Sequence, residues 1–365
     1  MRVVHVSPTY FTDASVIGGG ERYVSELSRW MSRETDTTLV SFSSQRRSDR
    51  QGNLRVEIYP VRHFIHGSKV NPLALRYLES VLRADVVHVH HINTVVSDLS
   101  CLLAASLRKP VFVTDYGGGG SVVLNRYLPI LRLYRRAIAY SEFGRGAIPA
   151  PLQQKSLTIK GGIDIERFRP LPGGEAREPT ILFVGRLLPH KGVNYLVEGF
   201  RLLDDRSYRL KIIGRVYDEE FYRYLRSLAE GLNVEFVHDA DDERLLREYQ
   251  TAKVTVLPSV HRPCNGSYTA VPELMGFTLL ESQACGTPAL CTDAGAMSEF
   301  VDDGRTGFVV AQNSGEAIAS ALRRITACSA VEYAQLANRC RDWVAPLSWS
   351  EVVKRHLSIY AEPAS

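Results

Sequence analysis

The stretch Ile181-Leu182-Phe183-Val184-Gly185-Arg186-Leu187-Leu188-Pro189-His190-Lys191-Gly192-Val193 decides the architecture. Residues 181–184 form an apolar run that reads as a buried strand. Glycine and proline interrupt it, and residues 193–203 resume with apolar positions at helical spacing. Strand, loop and helix in that order begin a βαβ unit. Arg186 and Lys191 lie on the loop leaving the strand, just before the helix, which suits an anionic ligand: Arg forks onto two phosphate oxygens and Lys supplies a compact charge. Gly185 and Gly192 let the backbone approach such a ligand closely. A solvated basic loop would read the same way taken alone.

Working outward, the alternation continues on both sides. Downstream, strands are expected at 210–213, 234–236, 254–257, 289–291 and 308–310, and helices at 219–231, 244–250, 279–285 and 314–325. Upstream, the strand 3–6 ends at Ser7-Pro8. A glycine run, Gly18-Gly19-Gly20, then leads into a helix over 21–32 with Tyr23, Val24, Leu27, Trp30 and Met31 on one stripe. Further strands are expected at 38–42, 56–59, 86–89, 111–114, 137–140 and 156–159, with helices at 73–82 and 99–107. Short β-branched runs alternating with helices indicate α/β architecture with parallel sheets covered on both faces. Residues 169–179, rich in Pro and Gly, read as an exposed linker. The chain is therefore expected to form two facing Rossmann-like, doubly wound domains, 1–169 and 170–345, followed by a terminal segment 346–365. Ligands in such sheets sit at the carboxyl ends of the strands, which puts a ligand in the cleft between facing domains.

Composition agrees. At roughly 150 residues per domain, 365 residues suggest two domains, and 45% apolar with 23% charged residues is ordinary globular usage. No apolar stretch reaches the roughly 18 residues that span a bilayer, and the opening residues lack a signal-peptide pattern. The six cysteines are scattered without a CxxC pair, which fits a reducing cytosol and neither a zinc site nor a disulfide scaffold. The net charge of +4 conceals an asymmetry. Residues 1–170 hold 23 basic and 14 acidic residues, whereas the remainder holds 21 and 26. A basic first half fits an anionic partner such as nucleic acid, a membrane surface or a phosphorylated substrate, and it also fits chance fluctuation.

A second informative stretch is 272–288. Glu273 and Glu281 are eight residues apart, and Gly276 opens a short helix that Gly286 and Pro288 end. Amides at that helix start, on Phe277, Thr278 and Leu279, suit a phosphate. Glu281, one turn in, suits ribose hydroxyls, and Glu273 suits those of a sugar.

Together these residues make the chain resemble glycosyltransferase family 4. This is the large retaining family of GT-B fold that includes sucrose synthases, phosphatidylinositol mannosyltransferases and many bacterial polysaccharide and lipopolysaccharide glycosyltransferases. The resemblance rests on residues 185–192 and on the Glu-x7-Glu of 273–281. Leu-Pro-Ser (257–259), Ala-Cys-Gly-Thr-Pro (284–288) and Asp-Gly-Arg-Thr-Gly-Phe (303–308) agree as well. So do segments 18–22, 85–90, 140–143 and 162–170 in the first half, and Ser348-Trp349, which opens a C-terminal helix crossing back to the first domain. It implies an acceptor-side first domain and a donor-binding second domain. Arg186 and Lys191 would bind the diphosphate of a nucleotide sugar, Glu281 its ribose, and Glu273 the transferred sugar. Gly19 and Gly20 would face the donor, with Gly276, Phe277, Thr278 and Leu279 at the phosphate. No metal or other cofactor is implied, because Arg, Lys and helix amides meet the charge that develops on the departing diphosphate.

Four stretches depart from the family pattern or are left open by it. Tyr116 stands where many members carry a His in a Thr-x-His pattern, with Asp115 beside it and Gly117 opening a glycine run; these are the acceptor-side candidates. Residues 261–272 are inserted before Glu273, either as a loop shaping acceptor choice or a lid, or as a neutral insertion. His261 and Cys264 alone are weak metal ligands. His88, His90 and His91 are either hydrogen-bonded core residues or ligand contacts. Residues 125–136 mix aromatic, aliphatic and basic side chains, as an amphipathic helix packed on the domain or lying on an anionic membrane would.

The expectation is a cytoplasmic, metal-independent, retaining hexosyltransferase, either free or peripheral on the cytoplasmic face of the inner membrane. Its donor is a nucleotide-diphosphate sugar, and its acceptor a glycan, glycolipid or lipid-linked sugar of bacterial surface polysaccharide. Nucleic acid is not expected as a partner. A nucleotide-sugar epimerase or phosphorylase of the same fold, or a non-catalytic sugar-binding protein, are the alternatives. A dehydrogenase is disfavoured because 18–20 lacks GxGxxG spacing.

Overall fold

A computed structural model describes residues 1–11, 19–69, 71–116, 122, 124–172 and 177–362. The chain forms two compact units, Met1–Gly162 with Trp349–Ser365, and Ile163–Ser348. The chain passes from one to the other at Gly162, ahead of the Pro/Gly-rich stretch.

The first unit opens with β1 (Arg2–Phe11) and α1 (Gly19–Met31). Next come β2 (Asp36–Ser43), β3 (Arg47–Gln51), β4 (Leu54–Pro60), and a small ribbon of β5 (His63–Phe64) and β6 (Pro72–Leu73). Then follow α2 (Leu78–Arg83), β7 (Val86–His90), α3 (Val95–Ser106), β8 (Val111–Thr114), β9 (Arg136–Ala139), α4 (Glu142–Gly146), α5 (Ala150–Gln153) and β10 (Ser156–Thr158). The sheet order is β10-β9-β8-β7-β1-β2-β4-β3, parallel except where β3 pairs antiparallel with β4. The two-residue period of the strands sorts their side chains. Val4, Val6, Val87, Val89, Val111 and Val113 fill an apolar core on one face, where each buried valine contributes about 1.5–3 kcal/mol. His5, His88 and His90, equally buried, occupy the other. Thr94 caps α3 by accepting the Ser97 amide, a bond worth about 1 kcal/mol.

The second unit contains β11 (Thr180–Val184), α6 (Val193–Leu203), β12 (Arg209–Ile213), α7 (Glu219–Leu228), β13 (Val234–Val237), α8 (Asp242–Thr251) and β14 (Val254–Leu257). It continues with α9 (Phe277–Ala284), β15 (Ala289–Thr292), β16 (Gly307–Val310), α10 (Gly315–Thr326) and α11 (Ala330–Val344). Its six strands run β13-β12-β11-β14-β15-β16, all parallel. The order reverses direction at β11, the topological switch point where such sheets bind ligands. Asp218, Asp241, Ser314 and Ser329 cap four of its helices, and Ser329 forms a full capping box with Glu332. The last helix, α12 (Trp349–Tyr360), belongs to the first unit. Its Trp349 packs on Tyr23, with ring centroids 4.9 Å apart, and against Gly162.

Four expectations fail. The helix expected over 73–82 is only α2, because Pro72–Leu73 is taken into the ribbon. The exposed, wholly polar edge strand β3 was not expected. Residues 125–136 form no amphipathic helix: two 3₁₀ turns, Leu124–Arg126 and Ile130–Arg132, flank Pro129, whose ring cannot continue a helix. The described part of the 169–179 stretch is docked rather than free. Arg177 donates to Thr287 Oγ1 at 2.6 Å and to the Cys285 carbonyl at 2.8 Å, and it bonds the Gln250 carbonyl at the end of α8.

Candidate donor and acceptor sites

In the second unit, β11 delivers its loop at the switch point. Pro189–Lys191 make a 3₁₀ turn, and Gly192, left-handed at φ 64°, starts α6. A Cβ on Gly192 would stand 2.0 Å from the Pro258 carbonyl oxygen, so only glycine allows this turn to lie against the 257–259 segment. The two cations of the loop differ in state. Lys191 is buried, and its Nζ forms an ion pair with Glu273 Oε1. The same oxygen accepts the Ser259 hydroxyl at 3.3 Å. Arg186 is exposed, lies 5.9 Å from the Tyr217 ring, and makes no ion pair among the described residues. Burial, followed by the neighbouring Lys191 charge, lowers the His190 pKa to about 4 and keeps that imidazole neutral.

Glu281 is buried within α9, where Tyr249 donates to its Oε2 at 2.9 Å. Thr278 donates its hydroxyl to the Val184 carbonyl at 3.3 Å, tying the start of α9 to the end of β11. Of the amides expected to be open to a phosphate, that of Leu279 is committed to the Gly276 carbonyl at 2.9 Å. The structure thus brings Lys191 and Glu273 into direct contact and joins the Glu281 helix to the same strand end. Sequence reading missed Tyr249 and Ser259 as partners because they lie 32 and 14 residues from the groups they bond.

The inserted segment is pinned by His261. Its Nδ1 faces the Thr269 carbonyl at 2.9 Å, so Nδ1 carries the proton, and Nε2 accepts the Gly295 amide at 3.3 Å. Both of its nitrogens are committed, and Cys264 is exposed. The Gly295 turn lies against Glu273: Ala296 N–H donates to the Glu273 carbonyl at 3.0 Å.

In the first unit, Gly19 and Gly20 are the first residues of α1. A Cβ on Gly20 would lie 2.9 Å from the Tyr116 ring. Gly18 and Gly117 lie outside the described residues. Tyr116 turns inward to His90 Nδ1 at 2.6 Å; His90 Nε2 faces His5 Nδ1 at 2.9 Å; His5 Nε2 faces the Met31 sulfur at 3.2 Å. The protons on this chain are fixed by its far end. A thioether only accepts, so His5 carries its proton on Nε2. Then His90 must donate to His5 through Nε2, and Tyr116 must donate its hydroxyl proton to His90. His88 bonds the hydroxyls of Tyr360 at 2.6 Å and Thr114 at 2.8 Å. Ligand atoms of His5, His88 and His90 lie within 4.8 Å of one another, near enough to suggest a metal. Their rings are only 30–47° apart in plane, however, and every nitrogen already has a partner, so the cluster reads as a hydrogen-bonded core. Burial first, then repulsion from neighbouring imidazoles (His356 for His5, His90 for His88, His5 for His90), holds all three neutral, with His5 lowered to about 3 and the others well below the ordinary value. Burial raises the Tyr116 phenol well above its own. Asp115 accepts the Ile92 amide at 3.0 Å. His5 carried no signal in sequence, since its partners depend on strand register.

Two parallel α/β units, one with a buried Lys–Glu pair at its switch point, define a glycosyltransferase of GT-B fold. Residues 164–343 match the family "Glycosyl transferases group 1" and residues 17–167 match "Glycosyltransferase Family 4". The chain belongs to glycosyltransferase family 4. It is 26% identical to a GDP-mannose:cellobiosyl-diphosphopolyprenol alpha-mannosyltransferase of Xanthomonas oryzae pv. oryzae, over 99% of this chain and 96% of that one. It is 27% identical to a phosphatidyl-myo-inositol mannosyltransferase of Mycolicibacterium smegmatis, over 76% and 70% of the two chains. Sucrose-phosphate synthase from Thermosynechococcus elongatus shares the fold, with TM-score 0.71, 19% identity and 98% of each chain covered. Among the described residues no helix is long and apolar enough to cross a membrane.

Proposed function

We propose that the protein is a retaining, metal-independent hexosyltransferase. It moves sugar from a nucleotide-diphosphate donor to a hydroxyl of a glycan, glycolipid or lipid-linked acceptor, at the cytoplasmic membrane face during synthesis of a bacterial surface polysaccharide or lipopolysaccharide. One observation carries the reading: Lys191, buried and paired with Glu273, shares the loop after β11, at the switch point, with Arg186, which is exposed and makes no ion pair among the described residues. An arriving diphosphate exchanges partners with this pair. Lys191 turns to phosphate oxygens, and the carboxylate it releases accepts hydroxyls of the transferred sugar. Arg186 adds a two-pronged donor, and Glu281, held by Tyr249, takes the ribose. As the sugar leaves, negative charge collects on the diphosphate, which Arg186 and the turned Lys191 then hold. The acceptor enters on the face the diphosphate vacates, and a phosphate oxygen takes its proton, which retains configuration.

The relatives' printed activities, an alpha-mannosyl transfer to a diphosphopolyprenol-linked sugar and a phosphatidylinositol mannosylation, support a lipid-linked acceptor. On the first unit, Arg126, Tyr127, Leu128, Arg132 and Leu133 are all exposed, with Tyr127 79% exposed. That mixture suits an anionic lipid surface. The test is a thermal-shift panel of UDP-, GDP- and ADP-sugars, followed by product analysis with the donor that stabilises. A product of retained configuration supports the reading. Inverted product, epimerised donor, or binding without transfer or hydrolysis each overturns it.

A further inference from the structure

His91 is the residue directly after β7, at the carboxyl end of a central strand of the first unit. Its backbone is left-handed, with φ 94°, a conformation that histidine adopts at a cost of about 1–3 kcal/mol and glycine adopts freely. The strain is enforced from both sides: the His91 amide donates to the Thr114 carbonyl at 2.7 Å, and the next amide, of Ile92, donates to Asp115 at 3.0 Å. Unlike His5, His88 and His90, the His91 ring makes no hydrogen bond among the described residues. Its Nδ1 is closed off from solvent and lies 3.9 Å from Asp115 Oδ1, beyond hydrogen-bond distance, while the side chain remains 19% exposed. The ring lies against Tyr116, with centroids 4.9 Å apart and planes tilted by 49°, and Tyr116 is itself fixed by its bond to His90. A strained backbone, a fixed aromatic neighbour, a carboxylate behind one nitrogen and a second nitrogen without a partner among the described residues make a poor core residue and a good ligand contact.

We propose that His91 is a substrate-contacting residue of the first unit. Asp115 draws the proton to Nδ1, and Nε2 accepts a hydrogen bond from a sugar hydroxyl. Ligand binding shortens the loose His91–Asp115 approach, as expected for groups that tighten only in the complex. This inference rests on the glycosyltransferase reading above and adds a residue to it.

The strain makes the test unusual. In His91→Gly the imidazole is lost while the backbone is relieved. The variant should therefore melt at the wild-type temperature or a few degrees above it, keep the thermal shift given by the nucleoside diphosphate, and lose about 100-fold in kcat/KM for transfer. Added imidazole should restore about tenfold of that loss, a response that a merely structural residue does not show. His91→Asn, which tolerates the same backbone, serves as a second variant and should lose activity without unfolding. Transfer by either variant within twofold of wild type overturns the proposal, as does loss of transfer accompanied by a lower melting temperature in both. Wild-type protein that transfers from no nucleotide sugar overturns the glycosyltransferase reading instead, so the two failures are distinct.

Discussion

The strand ends of the two units solve opposite problems. In the second unit, full charges are buried together: Lys191 and Glu273 keep 8% and 15% side-chain exposure and neutralise each other. In the first, the polar groups at the equivalent depth are neutral and linked in one direction, from Tyr116 through His90 and His5 to Met31. A paired charge can exchange its partner for an incoming anion. A neutral chain with fixed protons cannot rearrange without leaving a buried nitrogen or hydroxyl unmatched. The contrast separates a place built for exchange from a place built for rigidity.

That contrast is easiest to break with acid. Each buried neutral histidine holds its proton more weakly in the folded chain than in the unfolded one, whose imidazoles titrate near pH 6.5. The unfolded state therefore takes up more protons as pH falls below about 6.5, and stability falls with it until the folded values are reached, about 3 for His5 and about 4 for His356. Each such residue contributes a slope of up to about 1.4 kcal/mol per pH unit in that window. With His88 and His90 shifted the same way, the melting transition of the first unit should drop steeply between pH 6.5 and 4.5, and that of the second far less. Calorimetry across that range checks this; parallel loss in both units would remove the contrast.

Next in size is Lys191→Ala. Loss of a cation aimed at developing charge should lower the transfer rate by about 10²–10³ in protein that still binds and folds, measured by nucleotide release. Tyr116→Phe attacks the neutral side. His90 Nδ1 would be left buried without its donor, at a cost of about 1–3 kcal/mol, visible as a lower denaturation midpoint for the first unit only. The smallest effect belongs to Arg186→Ala. An exposed, screened guanidinium should matter about tenfold in the KM for donor, and that loss should grow at low salt.

Much of this was readable in the chain. The apolar runs at 181–184, 254–257 and 289–291 became parallel strands because a strand buried on both faces admits few polar residues. Gly192 announced its turn because no other residue fits beneath the Pro258 carbonyl. What could not be read were facts of register and distance. The Lys191–Glu273 pair joins residues 82 apart, and His5 meets His90 across 85. The edge strand β3 exposes both faces and so has no alternation to detect. The state of Arg186 against Lys191, one open and one buried, depends on packing that two basic letters in a loop do not encode. The left-handed backbone of His91 left no trace at all, since strain of this kind is signalled in sequence only when glycine relieves it.

The return of α12 has a consequence for how the chain is made. The second unit is one continuous segment, Ile163–Ser348, and everything it needs has been synthesised before the last helix appears. The first unit must wait. Until Trp349–Tyr360 emerge, Tyr23 and Gly162 lack the indole that covers them, and His88 lacks the Tyr360 hydroxyl. The second unit can therefore close before α12 is made, whereas the first closes only once α12 has packed, and a chain cut back to residue 348 would carry a complete second unit and an open histidine layer.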